Sequence, residues 1–191
     1  EIVDFNEETI PWKNYQNQIE ILSLSKTITT IGNNAFINCT NLKEFEISEN
    51  IKTIGENSFK GSGITKLIIP STIQTIKTNA FSQCSSLKSI EYQGTTNMCL
   101  NGNKIFENVK TTYVNVKNEY EKEEFCNLIA LKPNECGKDC KWEYNETTKA
   151  LTVNGSGEMI RFYNEMIPWY NKRNEIQTII IEGIILIPSN S

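Results

Sequence analysis

The sequence predicts a mainly β chain with short helices, in which repeats of 22–23 residues stack rung on rung as a solenoid. Three observations predict it. Residues 19–24, 42–47, 64–69 and 87–92 each read L-x-x-L-x-L in apolar character, and their starts lie 23, 22 and 23 residues apart. Behind these segments run further columns: Ile28, Ile51 and Ile73, then Ile31, Ile54 and Ile76, then Phe36, Phe59 and Phe81. A longer repeat of 157 residues then returns the opening of the chain near its end. A single repeat of this length cannot bury its apolar stripe alone, so stacked neighbours must bury it for each other.

The elements follow in order. Residues 1–18 are expected to cap the repeats, with Ile10-Pro11-Trp12 opening a short helix that takes Pro11 as its first residue. Residues 19–92 hold the repeats, after which the pattern stops at Tyr92. The column Asn34, Asn57, Asn79 is read as structural, because asparagine tolerates left-handed backbone and bonds nearby turn amides. The repeats depart from their pattern at Lys77, where two sisters have glycine, and at Gly61, read as standing where the sisters have Cys39 and Cys84. Residues 93–132 are expected to close the solenoid. They comprise a turn at 93–97, a strand at 111–116, and a helix over 118–128 with Asn118 as N-cap and Tyr120, Phe125 and Leu128 on one side. Residues 133–175 form a joint, with two alternating strands around a tip at 145–149. Residues 176–191 start a new repeat array.

The new start is legible through the internal match. Nine of the first 19 positions are identical 157 places on, among them Glu8/Glu165, Pro11/Pro168, Trp12/Trp169 and Ile19/Ile176. Ile176, Ile179, Ile181, Ile184 and Ile187 then fall in the apolar columns, with one residue deleted. The chain is therefore expected to be a fragment of a longer tandem array, opening inside one module and closing inside the next.

Composition excludes several functions. Nineteen basic against 23 acidic residues give a net charge of −4, which disfavours a nucleic-acid groove. No histidine is present, which removes the commonest general base and metal ligand. With only Asp4 and Asp139 as aspartates, a calcium loop has no ligands to draw on. The best apolar run, 176–187, is broken by Gln177, Thr178, Glu182 and Gly183 and is too short to insert in a membrane. The segment 155–157 is too short in glycine spacing, and lacks the lysine, to be a phosphate loop. No enzyme activity and no cofactor are expected.

Six cysteines divide into three pairs. Cys39 and Cys84 share a column two rungs apart, near 10 Å at about 4.8 Å per rung, too far to bridge, and are expected to be buried free thiols. Cys99 and Cys126 flank the closing segment and are expected to cross-link it, while Cys136 and Cys140 close a tight loop. A zinc site built from these four is the alternative, although it lacks a second close pair.

The stretches 30–42 and 69–87, with the joint 142–170, resemble the BspA-like class of leucine-rich repeats, and the resemblance covers essentially the whole chain. It implies a surface-displayed or extracellular protein of a mucosal bacterium or protist, with an adhesin-like role toward host protein, matrix or cells. It names no ligand, since no short motif in the family carries the binding.

In each L-x-x-L-x-L segment the second, third and fifth residues are free of the core columns. Stacked, they give three exposed columns: Glu20, Lys43, Thr65, Lys88; Ile21, Glu44, Lys66, Ser89; and Ser23, Glu46, Ile68, Glu91. Their mixed charge, with the exposed isoleucines Ile21 and Ile68, points to a protein or glycan partner on this face. The second reading is a structural array, in which tandem modules build a stalk or a self-associating filament. Asn38, Asn145 and Asn154 stand in N-x-S/T sequons and are expected to carry glycans in a eukaryotic secretory host, Asn145 first because it lies at a hairpin tip.

Overall fold

The computed structural model describes residues 1–99, 103–162 and 167–187. Glu165, part of the internal match, and residues 188–191 of the last segment lie outside the described residues. The chain is mainly β with few helices, and it divides into two compact units, Glu1–Ala130 and Leu131–Ser191.

Unit 1 carries the repeats. Its ladders are parallel and run from each repeat to the next. β1 (Thr30–Ile31), β2 (Thr53–Ile54) and β4 (Thr75–Ile76) pair Ile31 with Ile54 and Ile54 with Ile76. On the L-x-x-L-x-L side, β3 (Lys66–Ile69) pairs with β5 (Ser89–Tyr92), and a single bridge joins Ile21 to Glu44. The strands are short because only part of each repeat is extended, and the rest turns back to bury its apolar columns. Ile31, Ile54, Phe59, Ile64, Leu67, Ile69, Phe81, Leu87 and Ile90 are fully buried in one cluster. Residues 19–24, the first rung, are only half-buried at Ile19, Leu22 and Leu24.

The phenylalanine column is an aromatic ladder. Trp12, Phe36, Phe59, Phe81 and Phe106 stack in order, with ring centroids 5.3–5.8 Å apart. Two left-handed positions bracket it in each repeat and allow the tight turns. Asn34, Asn57 and Asn79, two residues before the ring, have φ of 58°, 53° and 58°. Asn38, Gly61, Gln83 and Asn108, two residues after it, have φ of 57°, 70°, 58° and 59°. Asparagine and glycine bear this conformation at least cost.

Four expectations are corrected here. The repeats do not stop at Tyr92. Phe81 N–H donates to Ile105 O, Gln83 N–H to Glu107 O, and Phe106 joins the ladder. β6 (Tyr113–Asn115) adds in parallel beside β5 with Glu91 opposite Asn115. That register sets Thr111, not an aliphatic residue, in the first column, where it is buried with its hydroxyl donating to Tyr113 O. The missing aliphatic at Thr111 and the longer spacing hid this repeat from the pattern.

The helix expected over 118–128 is a hairpin: β7 (Glu124–Phe125) and β8 (Leu128–Leu131) are antiparallel. Cys126 and Asn127 both have positive φ, at 50° and 67°, as a two-residue hairpin turn requires and a helix forbids. Helical spacing of the three apolar residues arose because Tyr120 and Phe125 meet edge to face across a turn, where Tyr120 OH donates to Glu124 O. Pro11 precedes the opening helix instead of starting it, since η1 (Lys13–Gln18) is a 3₁₀ helix with Trp12 as its N-cap residue. Finally, Ser62 and not Gly61 shares the cysteine column, because Ser62 Oγ lies 3.3 Å from Cys84 Sγ. Gly61 belongs to the left-handed column, and a Cβ there would meet Asn38 Oδ1 at 2.6 Å.

In unit 2, β9 (Glu135–Gly137), β10 (Cys140–Asn145), β11 (Ala150–Gly155) and β12 (Thr178–Gly183) form a sheet in the order β12-β11-β10-β9. β10 and β11 are an antiparallel hairpin, whose tip is closed by Asn145 Oδ1 accepting from the amides of Thr147 and Thr148. β12, in the segment where a new array is expected, pairs in parallel with β11. A second 3₁₀ turn, η2 (Tyr170–Lys172), follows Trp169, which packs edge to face on Trp142 and Phe162. The apolar-column residues Ile179, Ile181, Ile184 and Ile187 are exposed here, in contrast to their counterparts in unit 1.

Candidate ligand-binding face

In each extended segment, alternation sends one set of side chains into the stack and the other outward. Backbone bonds carry the outward set into columns. Ile21 is opposite Glu44, Thr65 N–H donates to Lys43 O at 3.2 Å, and Lys88 N–H donates to Thr65 O at 2.9 Å. Lys66 is opposite Ser89, and Ile68 opposite Glu91. Glu20, Ile21, Ser23, Lys43, Glu44, Glu46, Lys66 and Lys88 are exposed; Thr65, Ile68 and Glu91 are half-buried. Ser89 is buried, a correction to the exposed column. Glu91 pairs with Asn115, so two residues back the register sets the buried Tyr113 of β6 opposite Ser89.

The face therefore narrows toward its last rungs and is most open at its first. There, Glu20, Ile21, Asn41, Lys43 and Glu44 line an open groove of about 400 Å³. Ile21 is 81% exposed at its edge. Asn41 was not foreseen, because it precedes the segment by one residue and no column pattern marks it; its amide donates to Asn17 O in the cap. At the outer column, Glu91 accepts from Gln93 Nε2 at 3.3 Å. The groove thus offers two carboxylates, an ammonium, an amide and an apolar wall, which suits a surface of mixed polarity better than a polyanion.

The buried thiols offer no reactive group. Burial pushes Cys39 up to about 11. Burial likewise raises Cys84, although hydrogen bonding to Ser62 opposes the rise. Both stay protonated near neutral pH, and a thiol is a poor nucleophile. Among the described residues, no three cysteine, aspartate or glutamate side chains are grouped to hold a metal ion. No helix among them is long and apolar enough to cross a membrane.

Compared with known families, residues 10–131 match the BspA type leucine rich repeat region in six copies. The chain belongs to the BspA-type leucine-rich-repeat family. The six copies agree with repeats that continue past Tyr92 into the β6 rung. Proteins of this family are typically displayed at the surface or extracellular. No curated protein matches the chain.

The remaining cysteines of this BspA-type chain stand in two disulfide-capable pairs. Cys99 and Cys126 face each other with Cα atoms 5.2 Å apart, and so do Cys136 and Cys140. The first pair ties residue 99 to the β7–β8 turn, and the second bridges β9 and β10. Of the sequon asparagines, Asn38 and Asn145 are exposed, while Asn154 is half-buried on β11 between two paired strands. Asn38 lies against Gly61 of the next repeat.

Proposed function

We propose that this chain is an extracellular or surface-displayed binding module whose repeats form one continuous solenoid. Its open face would recognise a protein or glycan ligand on a host or neighbouring cell, without enzymatic activity. The observation that carries the reading is the groove at the first two rungs, where Ile21 is exposed beside Glu20, Lys43 and Glu44. A side chain this apolar serves no solvation role, and the charged columns of both signs around it favour a protein-like partner. The two cysteine pairs, if oxidised, fit an extracellular setting. Residues 1–18 would then cap the array, 93–132 close it, and 133–175 join it to the next module, with Asn38, Asn145 and Asn154 as glycan acceptors in a eukaryotic host.

The test is the triple charge reversal Glu20→Lys, Lys43→Glu, Glu44→Lys, with Glu46→Lys, Lys66→Glu and Glu91→Lys as a second variant for the rest of the face. None of these residues lies in a core column, so circular dichroism and melting temperature should hold. Adhesion to matrix or cells should fall at least tenfold, about 1.4 kcal/mol. Unchanged adhesion by both folded variants would exclude this face.

A second reading, a stalk of tandem modules, rests on the internal duplication. Ile2 N–H donates to Thr30 O at 2.9 Å, and 157 residues on Met159 N–H donates to Leu186 O at 2.9 Å. The start of a module is thus rebuilt after the joint with the same backbone bond.

A further inference from the structure

The two cysteine pairs are held in different ways. Cys136 and Cys140 are both fully buried in the core of unit 2. Their strands are also paired through the backbone, with Gly137 opposite Cys140 and Glu135 opposite Lys141. Opening that bridge would leave the two sulfurs facing each other at high effective concentration, so it would close again at once. Cys99, in contrast, is half-buried, and its partner Cys126 is 5% exposed.

Cys99 ends a strap, residues 94–99, that packs on Tyr92. A Cβ added at Gly94 would stand 2.2 Å from the Tyr92 hydroxyl, which donates to Thr96 O at 2.7 Å. Tyr92 itself is buried and stacks on Phe125, the neighbour of Cys126. Among the described residues, no backbone–backbone hydrogen bond joins 94–99 to another segment. Beyond the Tyr92 bond, the strap is held by Met98 against the core, by Asn97 Nδ2 donating to Glu124 O at 3.4 Å, and by the Cys99–Cys126 bridge. The bridge is therefore its main tie.

We propose that Cys99–Cys126 is a reducible latch: a small thiol attacks Cys99 Sγ, forms a mixed disulfide there, and frees the strap from Tyr92. The sulfur of the thiolate bonds to Cys99 Sγ as the bond to Cys126 breaks. The electron pair leaves on Cys126 Sγ, which takes a proton from water. One disulfide replaces another, so this step needs no oxidant or further reductant. A second thiol molecule then attacks the mixed disulfide, leaving Cys99 as a thiol and releasing the small disulfide. Attack falls on Cys99 because exchange requires access to the sulfur, and Cys99 is the most open of the four cysteines. The adduct persists because little besides the bridge returns the strap to Cys126. The inference goes beyond ligand binding and does not depend on it.

Treating the oxidised, folded chain with mercaptoethanol, quenching in acid and mapping the peptides by mass spectrometry tests it. The adduct should sit on Cys99 at least tenfold over any other cysteine, with Cys126 a free thiol and Cys136–Cys140 intact. Opening the latch should speed amide exchange in residues 94–99 at least tenfold. The Gln93 amide, bonded to Ile69 O at 2.9 Å, should keep its protection, and circular dichroism should stay native. The double variant Cys99→Ala, Cys126→Ala should show the same fast exchange with no thiol added. An adduct chiefly on Cys126, Cys136 or Cys140, a strap whose exchange is unchanged once the bridge is open, or loss of circular dichroism on reduction overturns the inference.

Discussion

Residues 19–31 and 176–187 carry the same apolar columns, yet their environments differ. In the first, Ile31 is fully buried and Leu22 and Leu24 are half-buried; in the second, Ile187, Ile179 and Ile181 are mostly exposed. Their local frames agree. Trp12 and Trp169 have φ near −100° and ψ of 20° and 16°, each precedes a 3₁₀ turn, and each meets a phenylalanine edge to face. The pattern therefore fixes the turn and the direction of the chain, while burial is conferred by the neighbouring rung. Stability should be concentrated where rungs have neighbours on both sides.

The largest expected effect breaks that comparison in the middle of unit 1. Phe59→Ala removes a ring stacked between Phe36 and Phe81, also in contact with Phe45, and should destabilise unit 1 by about 3–5 kcal/mol. Ile181→Ala, in the matching apolar class of unit 2, should change stability by no more than about 0.5 kcal/mol. Urea unfolding of the two variants measures the contrast, and equal losses would refute it.

The cysteine pairs sharpen the comparison next. Cys99–Cys126 closes 27 residues and Cys136–Cys140 closes four. Chain-entropy scaling gives about 3–4 kcal/mol for the first and about 2 kcal/mol for the second. Replacing Cys126 with serine should therefore lower the melting temperature of unit 1 more than Cys140→Ser lowers that of unit 2. Peptide mapping without reductant should find both bridges and leave Cys39 and Cys84 free.

The smallest effect is alkaline and has its cysteine and tyrosine part in unit 1. Burial raises Cys39 from 9.0 to about 11, and burial with Tyr92 nearby raises Tyr120 from 10.0 to about 12. Above pH 9 the unfolded chain sheds these protons while the folded one still holds them. Stability is thus intact below the ordinary values and falls as pH rises toward 11 and 12. In unit 2, Lys149 and Lys172 are raised as well, so a melt followed at pH 8 and pH 10.5 should shift both units, and only the unit 1 part carries the cysteine. The substitution Cys39→Ala should reduce that shift.

Much of the fold was legible. The four apolar segments, the phenylalanine column, the left-handed asparagines and the hairpin tip at 145–149 all follow from period and residue type. Legibility failed where one side chain broke a column or where a contact crossed the chain. Thr111 hid the β6 rung because its hydroxyl is satisfied by a backbone carbonyl that the sequence does not show. Residues 118–128 carry helical spacing, but their backbone is set by a left-handed pair at 126–127. Of the candidate face, the columns were legible and their exposure was not. Ser89 alternates outward like its sisters, yet it is buried, and the next rung sets Tyr113 opposite it.

The sequence by itself determined the repeat period, the absence of histidine chemistry, and the return of the opening segment 157 residues on, because each is a property of spacing or composition. Tertiary structure alone decided which rungs are covered, where the face opens into a groove, and which cysteines face each other. These depend on the next rung, and stacking distances are set by neighbours that no single segment encodes.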